Sequence, residues 1–571
     1  MGAAEKLITE NLDVWTSAVK TKSSAGRGSA TKREFYGVKR LRELILELAI
    51  RGLLVPQDPD DEPASELLKR IASEKTKLIE AGTIKKQKTL VPVSEEEKPF
   101  EVPDGWEWCK IGNAAISTDY GLSDKSFPVD HGVPVLAMGH IQFGKVLLGG
   151  QKRVPANVDS LPELYLEDRD LLYNRTNSAE LVGKTGIYRG EDKAYTFASY
   201  LIRIRTLKDT PLPEMINLNM LAPSFRSTQI DPHLKQQCGQ ANVNGTVMKN
   251  MLVAVAPTHE MARIVAKVDE LMALCHRLEQ EQESSLETHE TLVETLLNAL
   301  TSASEQGQFE EAWQRIQANF DILFTTDSSI DQLKQTILQL AVMGKLAPQK
   351  QTAGTRSASM ESGGGDLNER EMPMPFELPV NWKWCRLEKL TAITGGFAFK
   401  SSDYTSDGTR VIRISDFDEY GFKDEKIVRH DYPPELEKFS LKSGDILMAM
   451  TGGTVGKTFH VKTLPEQMLV NQRVATIRAS SGVDDTYLNF VIQSKLTQQV
   501  IHEAKNSTND NISMKDIKSF LIPLPPLAEQ QEIVSKVEDL LKLCDQIQAC
   551  LYEAQETQIG LADGLVADAV S

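Results

Sequence analysis

The chain repeats itself, and that repetition limits its fold more than any other feature. Leu41–Gln57 (LRELILELAIRGLLVPQ) returns as Leu333–Gln349 (LKQTILQLAVMGKLAPQ). Phe100–Ile111 (FEVPDGWEWCKI) returns as Phe376–Leu387 (FELPVNWKWCRL), and Pro257–Cys275 returns as Pro526–Cys544. The same order at similar separations marks the duplication of a whole structural unit, which calls for two like domains rather than one large core.

Each copy reads alike. A helix stops at Gly-x-Leu-x-Pro (Gly52, Pro56; Gly344, Pro348), a C-cap followed by a breaker. A polar linker comes next, with a short helix expected over Ala64–Glu80 in the first copy and a Ser/Gly-rich coil (Ser357–Ser362, Gly363–Gly365) in the second. Short apolar runs such as Val133–Met138, Tyr200–Arg205, Arg410–Ile414 and Val474–Arg478 then alternate with Gly/Asn/Asp/Ser turns, the signature of a mostly β or mixed domain. A Pro-rich exit leads into a long helix.

The expected layout follows: 1–56 N-terminal helices, 57–99 a linker with a short helix, 100–256 a first domain, 257–300 a long helix. The second copy follows with 301–349 helices repeating the N-terminal region, 350–375 a flexible linker, 376–525 a second domain and 526–571 a second long helix. Met1–Lys20 reads as one amphipathic helix, without the features of a signal peptide. The long helices carry 3-4 apolar spacing: Ile264, Val268, Leu271, Cys275, Leu278, Leu292, Leu296 and Ala299 in the first. The second has Ile533, Val537, Leu540, Cys544, Ile547, Leu551, Ala554, Leu561 and Leu565. Such spacing predicts a coiled coil, and about 40 residues at ~1.5 Å each would span about 60 Å, the length of a spacer. The fold class is α+β, a pseudo-two-fold duplication of two mixed α/β domains joined by the long helices.

The formal charge of −16 argues against a uniformly basic nucleic-acid binder. It is unevenly spread, however: Glu101–Ala256 holds 16 Lys+Arg against 17 Asp+Glu, and Glu377–Pro525 holds 19 against 19. Two near-neutral blocks alternate with acidic helices, which leaves room for local basic grooves. Cys109, Cys238, Cys275, Cys385, Cys544 and Cys550 form no CxxC pair, and the histidines form no ligand cluster. Free thiols in a cytoplasmic chain without zinc are the expectation. No apolar run is long enough to span a membrane.

Catalytic motifs fail on inspection. Gly452-Gly-Thr-Val-Gly-Lys-Thr458 is one residue short of a phosphate-binding GxxxxGK[ST] loop, and the other copy, Leu181-Val-Gly-Lys-Thr185, lacks its first glycine. Asp170, Glu191 and Lys193 could be read as a metal-dependent nuclease triad, but the second copy, with Asp445 and Glu466-Gln-Met468, lacks the Lys. Both aspartates also precede apolar runs, as turn residues before strands do. No aromatic-flanked Asn-Pro-Pro or Asp-Pro-Pro motif and no GxGxxG occurs. Positions shared by the copies are mostly apolar, Gly, Pro or Trp, whereas the polar residues of the two domains mostly differ. Equal scaffolds with unequal polar faces suit a reader of two different sequences.

Paired variable domains, each entered through Pro-x-x-Trp-x-Trp (Pro103, Trp106, Trp108; Pro379, Trp382, Trp384), resemble the DNA specificity subunit of type I restriction–modification enzymes. The hinge Pro523-Leu-Pro-Pro-Leu-Ala-Glu-Gln530 and the stretch Gly444–Leu447 with Val455–Lys457 carry the same resemblance. It implies two target-recognition domains that read a split, asymmetric DNA sequence, with the long helices antiparallel and fixing the gap. It also implies a prokaryotic, cytoplasmic, non-catalytic subunit that docks two methyltransferase (M) subunits and restriction (R) subunits in phage defence by DNA methylation and cleavage. S-adenosylmethionine, ATP and Mg would belong to those partners, and this chain would hold no cofactor or metal. A coiled-coil scaffold without DNA function and a cryptic metal-dependent nuclease are the alternatives.

Specific reading needs hydrogen-bonding forks at base edges, with cations on phosphate. In the first domain the candidates are Tyr120, His140, Asn174, Arg175, Thr176, Asn177, Ser178, Lys184, Asn242 and Asn244. In the second they are Lys400, Arg413, Ser415, Thr451, Lys457, Gln472, Arg473, Asn509 and Asn511. Lys184 and Lys457 occur in both copies, which suits phosphate, and the Trp pairs suit the core.

Overall fold

The computed structural model describes residues 3–22, 32–86, 88–237, 240–346, 374–505 and 511–570. Apart from 374 and 375, the expected flexible linker at 350–375 lies outside the described residues. The chain forms two compact units, one built on Ala30–Ser284 with segments from both chain ends, the other on Ser285–Ala554.

The repeated helix stop is a packing device. Tyr36–Ile50 and Asp327–Val342 are amphipathic helices that end just before Gly52 and Gly344, both in the left-handed region (φ +69° and +70°). An added Cβ would lie 2.6 Å from Pro103 Cγ at Gly52 and 2.5 Å from Pro379 Cγ at Gly344, with Trp106 and Trp382 close behind. The glycine thus lets the Pro-x-x-Trp segment of the next domain press onto the helix end. Trp106 and Trp382 are buried there, and Trp108 is buried with its indole on the Phe100 carbonyl.

The duplication also reaches the N-terminal helices. The expected single helix over Met1–Lys20 is two, Ala3–Glu10 and Leu12–Ser17, broken at Asn11 (φ −118°, ψ 28°), whose amide donates to the Leu7 carbonyl. In the second unit Asn319 breaks Gln306–Ala318 from Phe320–Leu323 at φ −121°, ψ 18°, and donates to the Arg315 carbonyl. A side-chain amide that competes for a helix carbonyl ends each helix. Ala64–Glu80 is helical throughout, between a proline and a Gly82 stop.

Each domain opens on a strand that pairs with its own exit strand, Glu107–Lys110 with Leu252–Val255 and Lys383–Arg386 with Leu521–Leu524. Between them lie matching sheets. The first unit orders Ser117–Tyr120, Leu201–Arg205, Leu171–Asn174 and Thr185–Ile187, then continues through Gly144–Val146 and Ile141–Gln142. The second orders Thr391–Gly395, Val474–Ala479, Ile446–Ala449 and Thr458–His460. Each domain adds a small sheet with one parallel pair, Val133–Leu136 with Thr196–Phe197 and Thr409–Ile412 with Met468–Val470.

Thr258–Ser302 and Leu527–Val570 are the long helices, 45 and 44 residues. In the first unit Met261, Ile264, Val268, Leu271 and Cys275 share a core with Ile559, Ala562 and Val566. In the second, Val293, Leu297 and Leu300 share one with Ile533, Val537 and Cys544. The expected stripe slips at both far ends. Val293, Leu297 and Leu300 are buried rather than Leu292, which is 46% exposed; Ile559, Ala562 and Val566 replace Leu561, which is 49% exposed. A strict 3-4 reading drifts around a 3.6-residue helix by about 20° per heptad, so one stripe cannot hold its heading over the whole length.

Candidate nucleic-acid interface

The two domains present the same strand ends. In the first, Tyr120 closes the edge strand, Ser199 and Tyr200 lead into its neighbour, Arg175 and Thr176 follow the third strand, and Lys184 precedes the fourth. The backbone bonds repeat one for one. Arg175 N–H donates to the Tyr200 carbonyl (3.0 Å) as Met450 does to Arg473 (2.9 Å), and Asn174 donates to Lys184 (2.8 Å) as Ala449 does to Lys457 (2.9 Å). Ser199 donates to Leu122 (2.8 Å) as Gln472 does to Phe397 (2.9 Å), and Val243 to Arg175 as Ile512 to Met450, both at 2.9 Å. Thr176 pairs with Asn242, and Thr451 with Asn511.

This geometry gathers Tyr120, Arg175, Thr176, Lys184 and Asn242 at one strand end. The Arg175 guanidinium lies 5.0 Å from the Tyr120 ring centroid and donates to the Ser199 carbonyl at 3.3 Å. Tyr120 accepts the Gly245 N–H through its hydroxyl (2.8 Å), and Asn242 donates to the Thr176 hydroxyl (3.2 Å). Asn244 sits beside them as a helix N-cap, accepting from Thr246 and Val247. Ser178 and Lys184 are exposed, and Asn177 accepts the Ser178 N–H. The second domain likewise gathers Thr451, Lys457, Gln472, Arg473 and Asn511, with Gln472, Arg473 and Asn511 exposed.

Other candidates stand elsewhere or are occupied. Asn174 is fully buried, on the sheet face of Leu172 and Leu201, where the second copy has Ala449. His140 accepts the Ala137 N–H at 2.8 Å, and Asp416 accepts the Arg413 N–H at 3.1 Å, so both hold the same turn. The Arg413 fork closes on Asp416 (2.8 and 2.9 Å), and Ser415 donates to that carboxylate as well. Lys400 is exposed ahead of the Ser401–Asp403 turn. Asn509 lies outside the described residues. Reasoning from sequence alone does not single out Ser199 and Tyr200, although they match Gln472 and Arg473. Sliding the copies by the spacing that relates Lys184 to Lys457 would expose the match.

The residues that suggested catalysis have structural duties. The Asp170 carboxylate, fully buried, receives Arg205 at 2.9 and 2.7 Å and the Glu167 N–H at 2.9 Å. Asp445 is bound the same way, by Arg478 at 2.6 and 2.7 Å and the Lys442 N–H at 2.8 Å. Each aspartate pins the turn before its strand to a neighbouring strand. Gly452–Thr454 is a tight turn between two strands, so no helix N-terminus faces it as a phosphate loop requires. Burial pushes the Cys109 thiol up to about 12 and that of Cys275 to about 11, far from a reactive thiolate at neutral pH.

Comparison with known proteins agrees with this duplicated architecture. Residues 379–554 match the family described as Type I restriction modification DNA specificity domain. The type I restriction enzyme EcoAI specificity subunit of Escherichia coli is 34% identical over the whole of both chains. This chain belongs to the specificity subunits of type I restriction–modification enzymes. A second E. coli specificity subunit, that of EcoEI, is 35% identical over 99% of each chain. Among solved structures, a chain from work on complex assembly and conformational transition of the type I R-M system is covered to 99% and covers 83% of this chain, with a TM-score of 0.52 at 17% identity. Among the described residues of this specificity subunit, no helix is long and apolar enough to cross a membrane.

Proposed function

We propose that this specificity subunit reads a bipartite, asymmetric target in duplex DNA, one part through each domain. The carrying observation is the pair of strand ends with bond-for-bond equivalent backbones and different side chains. Four adjacent strands about 4.8 Å apart span roughly 14 Å, close to four base pairs at ~3.4 Å each. That is the reach of a short half-site. Arg175, held against Tyr120, presents a fork suited to guanine N7 and O6, and Gln472 and Arg473 offer forks for adenine and guanine.

The subunit itself is non-catalytic in this reading. It docks two methyltransferase subunits and the restriction subunits, which bring S-adenosylmethionine, ATP and Mg and perform adenine methylation and cleavage. The test is to express the complete system and sequence the host's methylated bases. A split motif with two unlike parts supports the proposal, and exchanging Glu101–Ala256 for a relative's domain should then change one part only. Both parts changing together, or a continuous motif, would refute independent reading.

A further inference from the structure

The strand ends divide into two classes of position. Thr176/Thr451, Lys184/Lys457 and Asn242/Asn511 carry the same residue in both domains. Tyr120/Gly395, Arg175/Met450, Ser199/Gln472 and Tyr200/Arg473 carry different ones at equivalent places. Tyr120 faces Ile202 as Gly395 faces Ala475, which fixes the first of these equivalences in the register.

Two half-sites that differ in sequence still share one thing, the sugar–phosphate backbone. Side chains that meet the backbone can be alike in both domains, while those that meet base edges cannot be if the halves differ. The chemistry agrees. The shared set is a cation, a hydroxyl and an amide, all able to donate to phosphate oxygens. The unlike set contains the arginines, the glutamine and the exposed tyrosines, Tyr120 at 48% and Tyr200 at 47% exposure.

We propose that Tyr120, Arg175, Ser199 and Tyr200 determine the sequence read by the first domain, and Gly395, Met450, Gln472 and Arg473 that read by the second. The Thr/Lys/Asn set holds the backbone in both. This rests on the DNA-reading function proposed above and adds a positional code to it. Ser199 and Tyr200 become specificity residues, while Thr176, Thr451, Asn242 and Asn511 become backbone contacts. Within the unlike set the scaffold differs too: Tyr120 braces Arg175 in the first domain, whereas Gly395 brings no side chain to the equivalent place in the second.

The experiment transplants one set onto the other scaffold in the full complex with its methyltransferase subunits. The variant is Tyr120→Gly/Arg175→Met/Ser199→Gln/Tyr200→Arg, and the readout is the methylated motif. The expected result is a first half-site whose bases shift towards those of the second, with the second half-site unchanged. An unchanged first half-site, or loss of all methylation by a complex that still assembles, would overturn the code.

If the variant fails to assemble, Arg175→Met alone decides. It should relax discrimination at one base pair of the first half-site by about 10- to 100-fold and leave the rest intact. Unaltered discrimination would refute the assignment. Lys184→Ala and Lys457→Ala should weaken binding to every sequence without moving the motif, and a changed base preference would overturn the backbone class. Failure of the underlying function is seen separately: the unaltered complex would then give no split motif at all.

Discussion

The Trp106 indole donates to the Glu260 carboxylate at 3.0 Å, tying the start of the first recognition domain to the first turn of the long helix that follows it. The second copy repeats the tie between Trp382 and Glu529 at 2.9 Å. Gln57 adds a second donor to Glu260 at 3.2 Å, so the linker after the helix stop is held at the same place. Trp106→Phe keeps an aromatic ring but removes a donor from a buried carboxylate. It should cost about 1–3 kcal/mol in thermal or urea unfolding, and a loss within error would show the bond to be dispensable.

Glu260 gives that junction a pH dependence. Burial, with the nearby Asp61, raises its carboxyl above the ordinary value against the lowering effect of the Trp106 hydrogen bond and Arg263. The folded state therefore holds the proton more tightly than the unfolded chain. The contribution of Glu260 to stability should be fullest below the ordinary carboxylate range and fall as pH rises from there through the raised folded value. Glu260→Gln keeps an acceptor for Trp106 and should flatten this fall. Unfolding midpoints measured for both proteins from acid to neutral pH check it, and parallel curves would contradict it.

Asp170→Asn removes the charge that Arg205 faces in a fully buried carboxylate; because Arg205 is itself partly exposed and keeps Glu167 at 3.3 Å, the first domain should lose about 1–3 kcal/mol. Asp445→Asn should do the same to the second through Arg478. A nuclease role predicts the opposite pattern for Asp170, normal stability with lost cleavage. Melting curves read beside activity of the assembled enzyme separate the two.

Phe143 is strained. It stands 93% exposed at φ +49°, followed by Gly144 at +75°, and these two residues form the tip of a hairpin closed by the Gln142–Lys145 pair. Turns with both central residues left-handed favour Asn-Gly. Phe143→Asn should raise stability by about 0.5–1 kcal/mol, measured by chemical denaturation of the isolated subunit. Destabilisation would mean that the ring has a partner within the chain.

The polar stretch Glu281–Ser285 of the first long helix tests whether that helix sets the gap in the split target proposed above. Four inserted residues add about 6 Å of helix, one or two base pairs, and nearly keep the buried face. Two should turn Val293 and Leu297 out of their core and destabilise the protein. A methylated motif with an unchanged gap after the four-residue insertion would remove the helix from that role.

Much of the fold is legible in the residues. The Gly stop, the Pro-x-x-Trp motif and the long apolar spacing are local signals repeated twice, and repetition separates them from chance. Legibility ends where tertiary partners decide. Asn11 is a plausible helix residue until its amide reaches the Leu7 carbonyl, and the apolar stripe turns because each half of a long helix answers to a different core. At the interface, polarity marked Asn174 and Arg413 as readers, but polarity does not distinguish a buried amide or a fork closed on Asp416 from a free one. Ser199 and Tyr200 escape a reading by residue type, since a serine and a tyrosine do not look like a glutamine and an arginine; the offset of Lys184 to Lys457 and the backbone bonds make them the counterparts of Gln472 and Arg473.

Ile559, Ala562 and Val566 complete the core that Ala4 and Ile8 begin, and Asp563 receives the Tyr36 hydroxyl at 2.8 Å. On the ribosome, all of Ser285–Ala554 is made between these partners. The unit that emerges first is therefore finished last, and until then its helices expose an apolar seam to chaperones and to other nascent chains.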